Sequence, residues 1–532
     1  MNIYKSIMNM NTATTATTAT HTTATTATHT HTIPNPHNTY LGSRGYAILK
    51  SALEPGDLAL IRKDLTAAPH VPNSPIQPAK FPIYRESGTR IYVPRQYGID
   101  EYGDPEDSRV PAGDPINVEF TGGLRDYQQH ISDTYVSHVT DPATPYTGGG
   151  LLEIPCGRGK TVIALNIISR LKVKTLIIVH KGFLLNQWVE RIQQFIPSAR
   201  VGRIQGKTID MEDKDVVIGM LQSLSMKTYS DTMFSSFGLT VVDECHHISS
   251  EVFSRSLCRI VTQYSLGLSA TMNRKDGLTD VFKKFLGKIV YSETREADDS
   301  VLVRFVRYAP KSKDPVFLAE ETDYRGNIKH STMISKLCTY NDRSEFLLRI
   351  IQSELIERPK QQIMILAHNK SLIEYLFAAI QHRNIATVGL YVGGMKEAAL
   401  KESETKTIVI GTYAMASEGL DIKTLTTLLF ATPKTDIVQS VGRILRVKHD
   451  RPLVIDVVDA HECFKRQSYK RRAFYKKEQY RMVRYDDEAA YMARGDCGVG
   501  GGGGGGGDDG ADDTEYVPPA MKCMLDVGML GT

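Results

Sequence analysis

Residues 151–171 read LLEIPCGRGKTVIALNIISRL. An apolar run ends, a glycine-containing loop follows, and a stretch with helical apolar spacing begins. That strand–loop–helix order is the setting a phosphate-binding loop requires. Gly157 and Gly159 let backbone N–H groups approach phosphate oxygens, and the helix N-terminus adds the positive end of its dipole. Lys160 can reach the β- and γ-phosphates of a nucleotide, and the Thr161 hydroxyl can ligate Mg2+. The long form GxxxxGK[ST] is not met, because Ile154 stands at its first glycine position. The competing reading is a plain Gly-rich turn before Lys-Thr; the strand and helix on either side argue against it.

Downstream, residues 239–248 read LTVVDECHHI. A buried strand here delivers Asp243 and Glu244 at its C-terminal end, where open α/β sheets bind ligands. Asp243 can hold a Mg2+ shell, and Glu244 can orient and deprotonate an attacking water. A strand-end acidic pair that merely caps a helix is the bland alternative. The phosphate loop ahead of it, in the right order, favours the catalytic one.

Working outward, LLEIP, TLIIVH, DVVIG, LTVVDE and YSLGLSAT are short, nearly continuous Val/Ile/Leu runs from about residue 116 onward. Such runs are the pattern of strands buried on both faces of a parallel sheet. A second series, QQIMILAH, TIVIGT, TTLLFAT and PLVIDVV, begins near residue 341. Amphipathic stretches separate the runs in both series, so the fold class is α/β with two parallel sheets in tandem. The expected segments are a tail over 1–39, a small accessory domain over 40–115, the first α/β domain over 116–296, a connection over 297–340, the second α/β domain over 341–485 and a tail over 486–532. In the accessory segment LALIRKDLTAA has helical spacing, and FPIYRES-GTR-IYVPRQYG reads as two short strands around a Gly turn.

The first tail is a Thr/Ala/His repeat over about 11–32, with no apolar periodicity, and is expected to be disordered. His21, His29, His31 and His37 could bind a metal; a low-complexity tail is the plainer reading. The repeat is acid-free but lacks Arg, which makes it a poor transit peptide. The last tail holds GVGGGGGGGG (498–507) and the acidic DDGADD, a flexible composition. Just before it, residues 464–484 (FKRQSYKRRAFYKKEQYRMVR) contain nine Lys or Arg and one Glu, interleaved with Phe464, Tyr469, Phe474, Tyr475 and Tyr480. The aromatics are expected to dock on the second sheet; the charges either bind nucleic acid or face water.

The chain has 532 residues, a hydrophobic share of 41% and a net charge of +4. A near-neutral total does not exclude a nucleic-acid binder, because one cleft can be basic while the whole is balanced. The seven cysteines (Cys156, Cys245, Cys258, Cys338, Cys463, Cys497 and Cys523) are scattered and never spaced CxxC, which points to reduced thiols inside a cell. There is no long apolar span and no secretory signal pattern, so no membrane partner is expected.

With these stretches in place, the chain resembles a superfamily 2 helicase of the DExH type over about residues 120–485. The matching elements are LRDYQ (124–128), PCGRGKT (155–161), VHKGFLLNQW (179–188), GMLQSL (219–224), DECH (243–246), SAT (269–271), ILAHN (365–369), GTYAMASEGLD (411–421) and QSVGRILR (439–446), all in family order. PCGRGKT and SATMNRKDG resemble the branch of the transcription-factor helicase XPB and phage recombination helicases. The hairpin YRESGTRIYVPRQYG is similar to helicases of large DNA viruses, the poxvirus transcript-release type included. The RED triplet of XPB is absent, with Arg274, Lys275 and Asp276 in its neighbourhood.

The resemblance implies RecA-like domains and an ATP site shared between them. It puts Arg125 and Gln128 at the base, with Gln128 bonding the adenine edge. Gly157, Arg158, Gly159, Lys160 and Thr161 would hold the phosphates, with Mg2+ on Thr161 and Asp243. From the second sheet, Gln439 would sense the γ-phosphate or the attacking water, Arg443 and Arg446 would serve as arginine fingers, and Gly419 and Asp421 would couple to the nucleotide. Ser269 and Thr271 would link ATP to domain closure. The implied activity is an ATP-dependent DNA helicase or translocase; RNA is the other substrate, and a duplex translocase without strand separation is a third reading. A scaffold without catalysis would be expected to lack some of Lys160, Asp243, Glu244, Arg443 and Arg446, and all five are present. Transcription or replication proteins are candidate partners, in a virion or an infected cell.

Overall fold

The computed structural model describes residues 38–70, 77–155, 157–230, 232–248, 251–272, 278–293, 300–310, 314–418, 422–444, 449 and 451–494. The side chains of 247, 248, 252, 253, 417, 418, 439, 443 and 444 lie outside that description, as does the Thr/Ala/His repeat with its histidines.

The strand that ends in the phosphate loop, Gly149–Glu153, lies in an eight-stranded sheet. Across it the strands run Thr208–Asp210, Val201–Gln205, Val216–Met220, Thr175–Val179, Leu239–Val242, Tyr264–Ser269, Gly149–Glu153 and Ile289–Ser292. All pair in parallel except Thr208–Asp210. Alternate residues of one strand serve two cores. Ile177 and Val179 pack in a cluster with Ile163, Ile167 and Trp188 on one face; Leu176 and Ile178 pack with Phe237, Phe282 and Leu286 on the other. Burial on both faces is why the sequence shows runs rather than alternation.

The second sheet has seven strands, ordered Val388–Tyr391, Ile408–Thr412, Ile363–Ala367, Thr427–Phe430, Leu453–Asp459, Leu302–Tyr308 and Arg481–Tyr485, all parallel. The stretch 297–340 is thus more than a connection, since Leu302–Tyr308 is an inner strand of this sheet. Its sequence LVRFVRY hides this because Arg304 interrupts it. Arg304 is buried and reaches Glu354 at 2.6 Å and Glu357 at 2.5 Å on the helix Asn341–Glu357. Two further buried ion pairs close the same lobe. Arg343 grips Asp459 at 2.5 and 2.8 Å, and Arg471 grips Asp456 at 2.8 and 2.6 Å.

The N-terminal segment forms a four-stranded antiparallel sheet, Thr39–Gly42, Gly45–Leu49, Arg90–Val93 and Arg85–Glu86. The expected hairpin over YRESGTRIYV is there. The PRQYG that follows is a helix, Arg95–Tyr102, rather than a continuing strand, because Pro94 cannot donate to the ladder and suits the position before a helix. Gly98 in that helix lies against Tyr46; a Cβ there would come within 2.4 Å of the Tyr46 Cβ. Buried Arg95 donates to the carbonyls of Tyr146 (2.7 Å), Thr262 (3.1 Å) and Gln263 (2.9 Å). The core of this sheet also includes Leu278 and Val281 from the first α/β lobe, so the two pack as one body.

The α/β lobes meet through exposed polar contacts, Asn186 Nδ2 to Glu397 Oε2 at 3.1 Å and Lys401 Nζ to Glu190 Oε1 at 2.8 Å. Exposed pairs of this kind hold weakly, so they offer little resistance to the lobes moving apart.

Candidate nucleotide site

In the first sheet, the strands Leu239–Val242, Tyr264–Ser269 and Gly149–Glu153 are neighbours. Parallel pairing therefore brings three C-terminal ends together, carrying DECH, SAT and the phosphate loop. This is the edge at which doubly wound sheets bind ligands.

Gly157 and Gly159 both have φ of +85°, the left-handed region that a side chain disfavours. A Cβ at Gly159 would also fall 2.4 Å from Gln128 Nε2. The helix Lys160–Leu171 starts directly after it, so its first N–H groups face the loop. Gln128 is buried and braces that loop. Its Nε2 donates to Arg158 O at 3.0 Å, and its Oε1 accepts from Arg125 N at 3.1 Å. A carboxamide has two donor hydrogens and two acceptor lone pairs, so one of each remains for an adenine edge. Arg158 lies over the Tyr127 ring, 3.8 Å from its centroid, and pairs with Glu293. Tyr127 OH in turn donates to Arg158 O at 3.3 Å.

The strand Leu239–Val242 is wholly buried and leads into Asp243 and Glu244. Glu244 has φ of +49°, a strained conformation for a residue with a side chain. The twist lets successive carboxylates find different partners. Asp243 accepts from Trp188 Nε1 at 2.9 Å, in the interior. Glu244 Oε1 accepts from Lys160 Nζ at 3.0 Å. Burial, together with the neighbouring Glu244 charge, pushes the Asp243 carboxyl up to about 6, against the pull of Trp188 and Lys160.

From Glu244 a chain of polar contacts runs to the third strand end. His246 Nδ1 lies 3.3 Å from Glu244 Oε2 and 2.6 Å from Ser269 Oγ. Ser269 Oγ donates to Thr271 O at 2.5 Å and accepts from Thr271 N at 3.2 Å. The serine has one proton and gives it to a carbonyl, so His246 must be the donor, with the hydrogen on Nδ1. Phosphate loop, acidic pair and SAT are thereby joined side chain to side chain. Glu153 strengthens the junction by accepting from Met272 N at 2.9 Å and Ser292 Oγ at 2.8 Å.

In the second sheet, ILAHN ends the strand Ile363–Ala367, GTY ends Ile408–Thr412, and Thr432 follows Thr427–Phe430. His368 Nδ1 bonds Thr432 Oγ1 at 2.8 Å, and its ring packs on Tyr413. Burial, and then the Lys434 charge, lower the His368 pKa to about 4. The helix Val438–Ile444 carries Gln439 and Arg443, but their side chains are outside the described residues. Gly419, Asp421 and Arg446 are wholly outside them. The site described is therefore the first lobe's half.

Four contacts at the site had no role in the sequence reading: Trp188 to Asp243, His246 to Ser269, Arg158 to Tyr127 and Arg158 to Glu293. Trp188 is the chain's only tryptophan, and its helical spacing from Leu184 and Leu185 in VHKGFLLNQW, which puts it on the same buried face, was the available signal. Among the described residues no cluster of three or more His, Cys, Asp or Glu could hold a metal by itself, and no helix is long and apolar enough to cross a membrane.

Two largely parallel sheets in separate lobes, with this loop and acidic pair, define a nucleotide-hydrolysing motor, and comparison with known proteins is specific beyond that. The profile described as "Type III restriction enzyme, res subunit" matches residues 121–274. A candidate ATP-dependent RNA helicase of Acanthamoeba polyphaga mimivirus is 35% identical over 452 residues, 83% of this chain and 86% of that one. A candidate ATP-dependent RNA helicase of African swine fever virus is 27% identical over 393 residues, 69% of this chain and 74% of that one. A DNA 3'-5' translocase of the XPB kind from Sulfurisphaera tokodaii is 34% identical over 173 residues, 32% of this chain and 36% of that one. The chain belongs to this helicase family, within superfamily 2, and is an ATP-hydrolysing helicase of the viral type.

Proposed function

We propose that this helicase works on DNA, stepping along one strand's phosphates and separating strands or dislodging what is bound to them. The observation that carries the coupling is the series of contacts Lys160–Glu244–His246–Ser269–Thr271, hydrogen bonds throughout except the 3.3 Å approach of Glu244 Oε2 to His246 Nδ1. A γ-phosphate drawing on Lys160 changes the partner of Glu244, and the change reaches SAT on the strand between them in the sheet. Lobes held by weak exposed pairs can follow it.

In this reading Lys160 binds the β- and γ-phosphates, Glu244 orients and deprotonates water, and Gln439, Arg443 and Arg446 complete the site from the second lobe. Gly157, Arg158, Gly159, Gln128, Arg125, Gly419 and Asp421 hold the nucleotide. Mg2+ would be held by Thr161 and Asp243. Their hard oxygens suit it, and Mg2+ commonly takes one or two protein oxygens plus phosphate and water. When bound, the ion neutralises charge on the phosphates. The other segment limits read from the sequence are proposed as domain limits, with the strand Leu302–Tyr308 and the helix Glu488–Met492 counted in the second lobe, on which they pack.

DNA is favoured by Gln439 at the head of QSVGRILR and by the similarity to a DNA translocase. RNA is the second reading, favoured by the RNA-helicase names of the mimivirus and African swine fever virus relatives. ATPase measured with single- and double-stranded DNA and RNA of equal length tests both. Greater stimulation by DNA is expected. Stimulation by RNA alone overturns the DNA reading. A strand-displacement assay then separates unwinding from translocation on intact duplex.

A further inference from the structure

The helix Glu462–Lys477 carries seven Lys or Arg and a single Glu. Two of the seven cations have partners within the lobe. Arg471 is buried against Asp456, and Lys465 pairs with Glu462 at 3.0 Å. The other five, Arg466, Lys470, Arg472, Lys476 and Lys477, are exposed, and among the described residues none forms an ion pair. Exposed cations elsewhere on this lobe do pair: Arg383 with Glu345 at 2.7 Å and Lys406 with Glu402 at 3.0 Å.

Helical spacing sorts the five into adjacent rows. Arg466, Lys470 and Lys477 share one; Arg472 and Lys476 form the next, beside Tyr469. Arg466 to Lys470 and Arg472 to Lys476 are like charges one turn apart, which weakens a helix rather than supporting it. Tyr469 is 59% exposed in their midst, whereas Phe464, Tyr475 and Tyr480 of the same stretch are buried. The fold accounts for the buried aromatics and for Arg471. It does not account for a cationic face with an aromatic ring standing out of it.

The face is fixed to the motor. Arg471 also donates to Lys434 O at 3.1 Å, in the turn that leads into the helix Val438–Ile444. The run from Arg466 to Lys477 rises about 16 Å at ~1.5 Å per residue, long enough to face several phosphates of an extended strand.

We propose that this face is a second nucleic-acid contact outside the interlobe cleft, taking single-stranded DNA, with the five cations on phosphates and Tyr469 stacked on a base. The inference rests on the DNA-motor reading above. A lone exposed ring among cations suits an unpaired base, since bases in a duplex already stack on one another.

The test uses the full chain and measures binding to a DNA single strand and to a duplex of equal length across a salt series. Replacing Lys470, Arg472, Lys476 and Lys477 together by Gln should flatten the slope of log K against log salt on the single strand by up to about 3, at ~0.7 per phosphate contact. Tyr469→Ala should weaken single-strand binding about fivefold or more with the slope unchanged, and Tyr469→Phe should restore it. In all three variants kcat for ATP at saturating DNA should stay as in the parent. An unchanged slope in the fourfold variant overturns the proposal and leaves the face to an acidic protein. A loss confined to the duplex overturns it as well. If the parent protein itself neither binds DNA nor is stimulated by it, the DNA-motor reading falls instead.

Discussion

Lys160 Nζ and Glu244 Oε1, separated by 84 residues in sequence, lie 3.0 Å apart. The phosphate-loop cation and the carboxylate that would activate water therefore share a hydrogen bond, and each sets the other's position. Replacing either should stop nucleic-acid-stimulated hydrolysis, in different ways. Lys160→Ala should weaken ATP binding as well as turnover. Glu244→Gln should keep ATP binding and lower kcat by about 10²–10⁴, the usual share of a general base. Nucleotide binding by equilibrium titration beside steady-state ATPase separates the two. Full activity in both variants would falsify the assignment.

Trp188 offers a direct view of the acidic pair, because the chain's only tryptophan hydrogen-bonds Asp243 in the interior. Its fluorescence should change when ATP and Mg2+ are added together, and less with ATP in excess chelator. Trp188→Phe keeps most of the packing and removes the N–H donor from a buried carboxylate. A loss of about 1–3 kcal/mol in denaturant unfolding is expected. Equal stability would show that the bond contributes nothing.

Arg343 and Asp459 are both fully buried and joined by two bonds. Arg343 also donates to Ala431 O at 2.9 Å, tying the helix Asn341–Glu357 to two strands. Removing one partner leaves a buried charge unpaired, so Arg343→Met should destabilise the second lobe by about 3–5 kcal/mol. Unfolding curves with and without an accompanying Asp459→Asn check the cause; the second change should recover part of the loss.

His368 gives the second lobe a pH dependence. Its folded pKa is lowered to about 4 by burial and by Lys434, from an ordinary value of 6.5. Between those values the unfolded chain binds the proton more readily. Stability therefore rises with pH through the window, is complete above 6.5, and is lost as pH falls towards 4. His368→Asn should flatten this part of the stability profile in urea titrations. A slope that survives the substitution belongs to other groups.

The inner strands of both sheets were legible because residues such as 175–179 and 363–367 are apolar on both faces and sit between helical stretches. Leu302–Tyr308 was not, because Arg304 breaks its apolar run, and the carboxylates that make Arg304 buriable lie some 50 residues away. Val388–Tyr391 and Arg481–Tyr485 escaped for another reason. Each is a sheet edge, and the second has no fully buried residue, so its composition carries little apolar signal. In the 464–484 stretch the expectation that aromatics dock holds for Phe464, Tyr475 and Tyr480 and fails for Tyr469.

The sequence by itself determined the class of fold and the family, and it singled out the proposed phosphate loop and acidic pair. Each rests on local spacing: glycines where the backbone must turn left-handed, carboxylates at the end of an apolar run, motifs in a set order along the chain. Only the tertiary structure decided which charges are satisfied. Arg304, Arg343 and Arg471 are as basic on paper as Lys470 or Lys477, yet the first three are buried against carboxylates and the last two face water. That difference comes from which side of a helix packs on the sheet and from partners brought near by folding. Neither is a property of the residue or its neighbours in sequence.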